Sequence, residues 1–200
     1  MAHEGPPDIR DLHDQLVAAE RDAKAIVDGL TEEHGTRRLK PGAWSISECL
    51  DHLATANRVY LRAMQEPADR GRARGLHRSC PAKPGLPGRL FIFTLEPPPK
   101  WWSKLKAPRK IRPREAPPLA DAFESFVASQ ADVHAFLRSY GNLDLARIHF
   151  PNPFVRGIRF SLATGLHVIT THERRHLWQA WGVRRAIERG NTDRQEVASR

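Results

Sequence analysis

Residues 171–179 read Thr-His-Glu-Arg-Arg-His-Leu-Trp-Gln. His172 and His176 are four residues apart, a spacing that stacks both imidazoles on one face of a helix, one turn from each other. Neutral imidazole is the commonest protein ligand for transition metals. Two ligands carried by one helix also lower the entropic cost of assembling a site. The same five residues match the H-E-x-x-H pattern, in which Glu173 is the base that activates a metal-bound water. The context argues against a protease. No strand pattern precedes the helix to hold a peptide, and Gln179 stands where the extended form of that motif requires glycine. Glu188 and Glu196 are the remaining distant ligand candidates for that reading, the latter in a polar tail.

A third histidine fits better. His52 belongs to an earlier helical stretch, on the face shared with Cys49 and Ala56. If the two helices pack together, His52 meets His172 and His176. Three nitrogens leave coordination positions open, as catalytic metal sites do and closed structural sites do not. Such a centre can lower the pKa of bound water toward neutrality for hydrolysis, or hold a thiol as its nucleophilic thiolate. Residue types alone do not choose between the two. Candidate helpers are Glu48, one turn before His52, and Asn57 and Tyr60, one and two turns after it; Glu173 is placed to orient a ligand.

These residues need elements to carry them. Apolar residues at three- and four-residue steps predict a first helix over about Asp8 to Leu30, stopped by His34-Gly35. Ser45 with Glu48 spells a capping box that opens a second helix, lined by Ile46, Leu50, Leu53, Asn57, Tyr60 and Met64 and closed at Pro67. A third spans about Leu119 to Ser139, and a fourth about Arg159 to Arg189, stopped by Gly190-Asn191. The inward seam of the fourth reads Leu162, Gly165, Ile169, His172, His176, Gln179, Val183, Ala186. Imidazoles and an amide in a core seam require partners, because burying them unpaired costs several kcal/mol at worst. Trp44 is expected to anchor the start of the second helix, and Trp178 and Trp181 to cover the bundle or a dimer face. No strand pattern is evident. The expectation is an all-α single domain over residues 1–200: a four-helix bundle with a long crossover at about 66–118 and a frayed tail at about 190–200.

The crossover is chemically distinct. It carries ten prolines between Pro81 and Pro118, with Gly88 to Glu96 as its best helical piece. The chain has a net charge of +9, and 13 of its 32 Lys/Arg but only 3 of its 23 Asp/Glu lie between Asp69 and Glu115. That segment carries +10 and the remainder −1. Trp101-Trp102-Ser103-Lys104-Leu105-Lys106 places aromatic residues beside basic ones, and Arg109, Lys110, Arg112 and Arg114 follow. Residues 100–114 therefore offer a second reading: a non-catalytic module binding nucleic acid by phosphate contacts and stacking, or an anionic membrane with Phe91, Ile92, Phe93 and both tryptophans as anchors. No apolar run reaches bilayer-spanning length. Residues 1–10 show no basic stretch leading into an apolar one, and there are only two cysteines, Cys49 and Cys80. A cytoplasmic protein without a disulfide scaffold is expected.

Two segments carry a family resemblance. Gly42-Ala43-Trp44-Ser45-Ile46-Ser47-Glu48-Cys49-Leu50-Asp51-His52-Leu53 resembles the second-helix signature of the DinB-like (DinB/YfiT) superfamily, and Thr171 to Gln179 resembles its fourth-helix signature. They stand in the family's order, separated by a crossover, and the resemblance covers roughly Asp8 to Arg189. It implies an up-down-down-up four-helix bundle, often a homodimer, with zinc or nickel on three histidines; carried over, these are His52, His172 and His176. It implies metal-dependent hydrolases, or transferases that join a low-molecular-weight thiol such as bacillithiol or mycothiol to small electrophiles. The proline-rich cationic crossover departs from the family pattern and leaves the substrate class open.

Overall fold

The fold is that of a computed structural model describing residues 5–99 and 107–198, with side chains through Gly190. It is predominantly helical: α1 (Pro7–Val27), α2 (Glu32–Thr36), α3 (Ile46–Ala73), α4 (Leu86–Leu95), α5 (Leu119–Tyr140) and α6 (Leu162–Ala198), with a 3₁₀ turn at Arg109–Ile111. A two-stranded antiparallel ribbon, β1 (His149–Pro151) and β2 (Arg159–Ser161), pairs Phe150 with Phe160. Three-residue strands are too short for alternation to register in the sequence, so the expectation of no strands is corrected here.

The four long helices are those the periodicity predicts, with different ends. Helix α1 stops at Val27, and Gly29 turns the chain at φ +70°. One nitrogen of Arg184 donates to the carbonyls of Ala25, Ile26 and Asp28 at 2.7–2.8 Å, pairing acceptors that a helix C-terminus leaves open. His34-Gly35 is not a stop: both residues lie in α2, capped by Thr31. Gly35 packs where a Cβ would strike Leu119, and Glu32 accepts the Leu119 N–H at 3.0 Å, which pins the start of α5.

The capping box at Ser45 and Glu48 is formed as expected. Pro67 does not close α3, which continues to Ala73. A proline inside a helix forfeits a hydrogen bond and crowds the preceding turn. Here α5 braces both sides of it. Gln65 donates to the Tyr140 hydroxyl at 2.5 Å, and that hydroxyl donates to Asp69 at 2.5 Å, so one side chain spans the proline. Nor does Gly190-Asn191 end α6, which runs to Ala198.

Among the four long helices, α3 packs on α5 and α6, and α1 packs on the same two. Arg58 reaches Ser125 and Arg72 reaches Ser139 on α5, while Asn57 reaches Glu173 on α6. His13 of α1 meets His134 of α5, and Gln15 meets Arg174 of α6.

The core is divided. One apolar cluster includes Leu12, Leu16, Met64, Val133, Phe150 and Ile169. The other includes Ala23, Ile26, Leu50, Leu53, Phe126, Leu177 and Ala180. Along α3, α5 and α6 the residues between the two clusters include Asn57, Ser129, Gln130 and Glu173, all fully buried. Glu173 accepts from Asn57 at 2.8 Å and from Gln130 at 3.2 Å, and Asn57 also donates to Ser129 at 3.2 Å. A polar layer thus crosses the core between two apolar halves.

The crossover is tied down at both ends. Asp8 of α1 pairs with Arg78 and accepts the Ala82 N–H at 2.6 Å; Arg114 pairs with Asp51 of α3 at 2.8 Å. Phe91 packs on Phe160, and Ile92 and Leu95 lie against the core, so Phe91 and Ile92 are not exposed anchors. Lys100 and the Trp101–Lys106 segment lie outside the described residues. No helix among the described residues is long and apolar enough to cross a membrane.

Candidate metal centre

His52 from α3 and His172 and His176 from α6 converge. One ring nitrogen from each lies within 4.8 Å of the other two. The Nε2 atoms of His52 and His172 are 3.1 Å apart, and the ring centroids of the three pairs are 4.5–4.8 Å apart. Two imidazole nitrogens on one tetrahedral zinc, with bonds near 2.05 Å, stand roughly 3.4 Å apart. The pair spacing is close to that value.

The outward nitrogens explain the inward ones. His52 Nδ1 bonds to the carbonyl of Ile111, an acceptor only, so His52 carries its proton on Nδ1 and turns a bare Nε2 lone pair to the cluster. His176 Nδ1 lies 3.2 Å from Gln179 Oε1, and the same logic frees its Nε2. Burial pushes His52 down to about 4, against the opposing pull of Ile111 and Asp51. Burial and mutual repulsion hold His172 and His176 well below the ordinary histidine value. All three imidazoles are therefore neutral at pH 7, the protonation state a metal requires. Three neutral ring nitrogens within 4.8 Å of one another form a donor set suited to a transition-metal ion.

The surroundings restrict approach. Trp44 lies over the His52 and His176 rings, at 4.7 and 5.4 Å between centroids, so it walls the site and is not only an anchor. His52 and His176 are buried and His172 is half-buried, which leaves His172 the most accessible of the three. Cys49 is buried one turn before His52, and burial pushes its thiol up, the opposite of what a thiolate ligand needs.

The proposed helpers go elsewhere. Glu48 bonds Arg38 and the Ser45 N–H; burial would raise its pKa, but these partners outweigh it and hold it below the ordinary value. Glu173 and Asn57 belong to the polar layer, and Glu173 is pushed up to about 7 by burial, against the hydrogen bonds from Asn57 and Gln130. Tyr60 is buried edge-on to Phe150 and Phe154. Glu48 and Glu173 are not in the ligand cluster. Of the two tryptophans that follow, Trp181 packs on the apolar cluster and Trp178 is exposed.

Sequence reasoning missed Ile111, Gln130 and the Asp51–Arg114 pair. Ile111 acts through its backbone carbonyl, which any residue type supplies, and the other two are pairings across distant segments. Only Gln179, three residues beyond His176, was within reach of a local pattern.

No curated protein and no solved structure matches the chain. A family model described as the DinB superfamily matches residues 15–180, a span that holds all three histidines and both motif segments. With most of its length covered by that match, the chain belongs to the DinB superfamily.

Proposed function

We propose that this protein is a metal-dependent enzyme, a hydrolase or a low-molecular-weight-thiol S-transferase, with a divalent ion, zinc or nickel, held by His52, His172 and His176. The observation that carries the reading is the pair of outward hydrogen bonds, His52 to Ile111 and His176 to Gln179. They fix two tautomers, leaving Nε2 of His52 bare 3.1 Å from Nε2 of His172, within a set of three ring nitrogens that all lie within 4.8 Å of one another. When bound, the ion supplies Lewis acidity that makes a coordinated water or thiol nucleophilic near neutral pH. The chain's own residues orient the imidazoles, exclude bulk water with Trp44, and leave the His172 side as the approach for a small substrate. Glu48, Asn57, Tyr60 and Glu173 act indirectly in this reading, by fixing α3 against α5 and α6.

The scaffold is read as the up-down-down-up bundle of the family. The pairings Arg58–Ser125 and Arg72–Ser139 support α3 and α5 running together. Gly165 beside Met64 and His176 beside His52 support α6 running against α3. A cytoplasmic homodimer fits the same family reading, with exposed Trp178 as a candidate for its interface.

The test is activity of zinc- or nickel-loaded protein toward a thiol plus a small aryl halide, and toward activated esters and amides. The reading expects turnover that is absent from His172→Ala loaded in the same way. Equal rates for loaded and stripped protein would overturn it.

A further inference from the structure

Two cavities of about 400 and 360 Å³ adjoin along the C-terminal half of α3, where the β ribbon packs on it. They share Pro67, Arg70 and Arg159, and so form one groove. Arg74 and Arg147 line its first part and Arg62 its second. All five arginines are exposed. The one carboxylate on the wall, Glu66, is paired with Arg70. Arg159 gives one N–H to the His149 carbonyl at 3.1 Å. Arg62, Arg74 and Arg147 have no ion pair among the described residues.

Two other arginines of the same helix are engaged by the fold. Elsewhere on α3, Arg58 bonds Ser125, and Arg72 bonds the Ser139 carbonyl with its guanidinium 4.3 Å from the Tyr140 ring centre. Those arginines hold the fold together, whereas the groove arginines face a cavity. The groove is also fixed in shape, since a Cβ on Gly71 would strike Ile148, so the ribbon sits directly on the helix. Converging like charges repel unless an anion sits among them. The guanidinium fork matches phosphate oxygens bidentately.

We propose that this groove binds a small molecule bearing two or more phosphate groups. The cavity sizes fit a small ligand. No Phe, Tyr or Trp lines either cavity, so the stacking platform that single-stranded nucleic acid uses is not part of it. At 1.5 Å rise per residue, Arg62 and Arg74 lie roughly 15 and 33 Å along α3 from His52. The site is therefore separate from the metal centre. It also differs from the anion-binding segment that the sequence suggests at 100–114, because Arg147 and Arg159 come from outside the basic crossover.

Calorimetric titration of the full-length protein with inorganic tripolyphosphate tests this. Wild type should bind with affinity that falls as salt rises. The double substitution Arg74→Gln/Arg147→Gln should weaken binding by at least roughly tenfold, with an unchanged thermal midpoint. Arg109→Gln/Lys110→Gln, in the crossover, should leave it within about twofold. Absence of tripolyphosphate binding would overturn the proposal. So would equal loss in the crossover variant, or tighter binding of a short single-stranded RNA than of tripolyphosphate. Metal stripped from the histidines by the titrant would produce heat that does not depend on Arg74 and Arg147, so failure of the metal reading is distinguishable.

Discussion

His172 and Glu173 are neighbours on one turn of α6, yet they enter opposite kinds of environment. Glu173 points into the core, where the amides of Asn57 and Gln130 converge on its carboxylate. His172 points to His52 and His176, whose own protons are turned outward to Ile111 and Gln179. In the first region amide N–H groups are directed inward onto one carboxylate, while the Asn57 Oδ1 and Gln130 Oε1 atoms stay without a partner among the described residues. In the second, His52 and His176 direct their N–H groups away, and the bare Nε2 of His52 is left 3.1 Å from Nε2 of His172. The first arrangement fixes helices; the second offers a donor set that fits a metal ion. Adjacent polar residues on a helix thus divide between stability and binding according to where their partners stand.

If that division is right, substitutions on the two sides should separate cleanly. Glu173→Ala should have the largest effect on stability, about 3 kcal/mol, since it strands two buried amide donors and opens a void. For a chain of this size that lowers the melting midpoint by roughly 6–12 °C, as calorimetry on metal-free protein would show. Metal affinity of the folded fraction should change little. If Glu173→Ala abolished metal binding at full stability, the division would fail. On the other side, Gln179→Ala should weaken metal binding by roughly 10–100-fold while shifting the midpoint of metal-free protein by only a degree or two. Competition titration with a chromophoric chelator reads this directly.

Two smaller effects lie outside both regions and serve as controls. Ser45→Ala removes the cap of the helix that carries His52, and should cost about 1 kcal/mol of stability with the metal stoichiometry intact. The link between α1 and the crossover should respond to pH. Burial opposes ionisation of Asp8, but Arg78 and the Ala82 N–H outweigh it and hold its carboxyl below the ordinary value. A lowered folded pKa gives stability that is present above the unfolded value, near 4, and is lost as pH falls through the folded one. Asp8→Asn should thus destabilise by less than about 1 kcal/mol at pH 7. Its difference from wild type should shrink toward zero on acidification below pH ~4. A difference that grew on acidification would contradict this.

What the sequence made legible was local. The i, i+4 histidines, the Ser45–Glu48 box and the apolar face of α3 lie within a few residues of one another, and a helix fixes their geometry directly. What it hid was either non-local or carried by the backbone. The Ile111 carbonyl has no residue-type signature. The polar layer draws one or two residues from each of three helices, so that each looks like an isolated exception. Pro67 was misleading because its penalty is local, while Tyr140, which braces it, is 73 positions away in the chain. Gly190 was misleading because a helix tolerates glycine at about 1 kcal/mol. The ribbon was too short to show a period, yet it supplies Arg159, with His149 and Pro151, to the wall of the arginine groove.

The central claim is that the three imidazoles exist to hold an ion. Metal content by plasma mass spectrometry, on untagged wild type and on His52→Ala with far-UV circular dichroism alongside, tests it most directly. The account predicts about one zinc or nickel per chain in the wild type, lost in the variant while its helicity persists. Wild type that binds no zinc, nickel or manganese even when each is supplied, or a variant that keeps its ion, would contradict it.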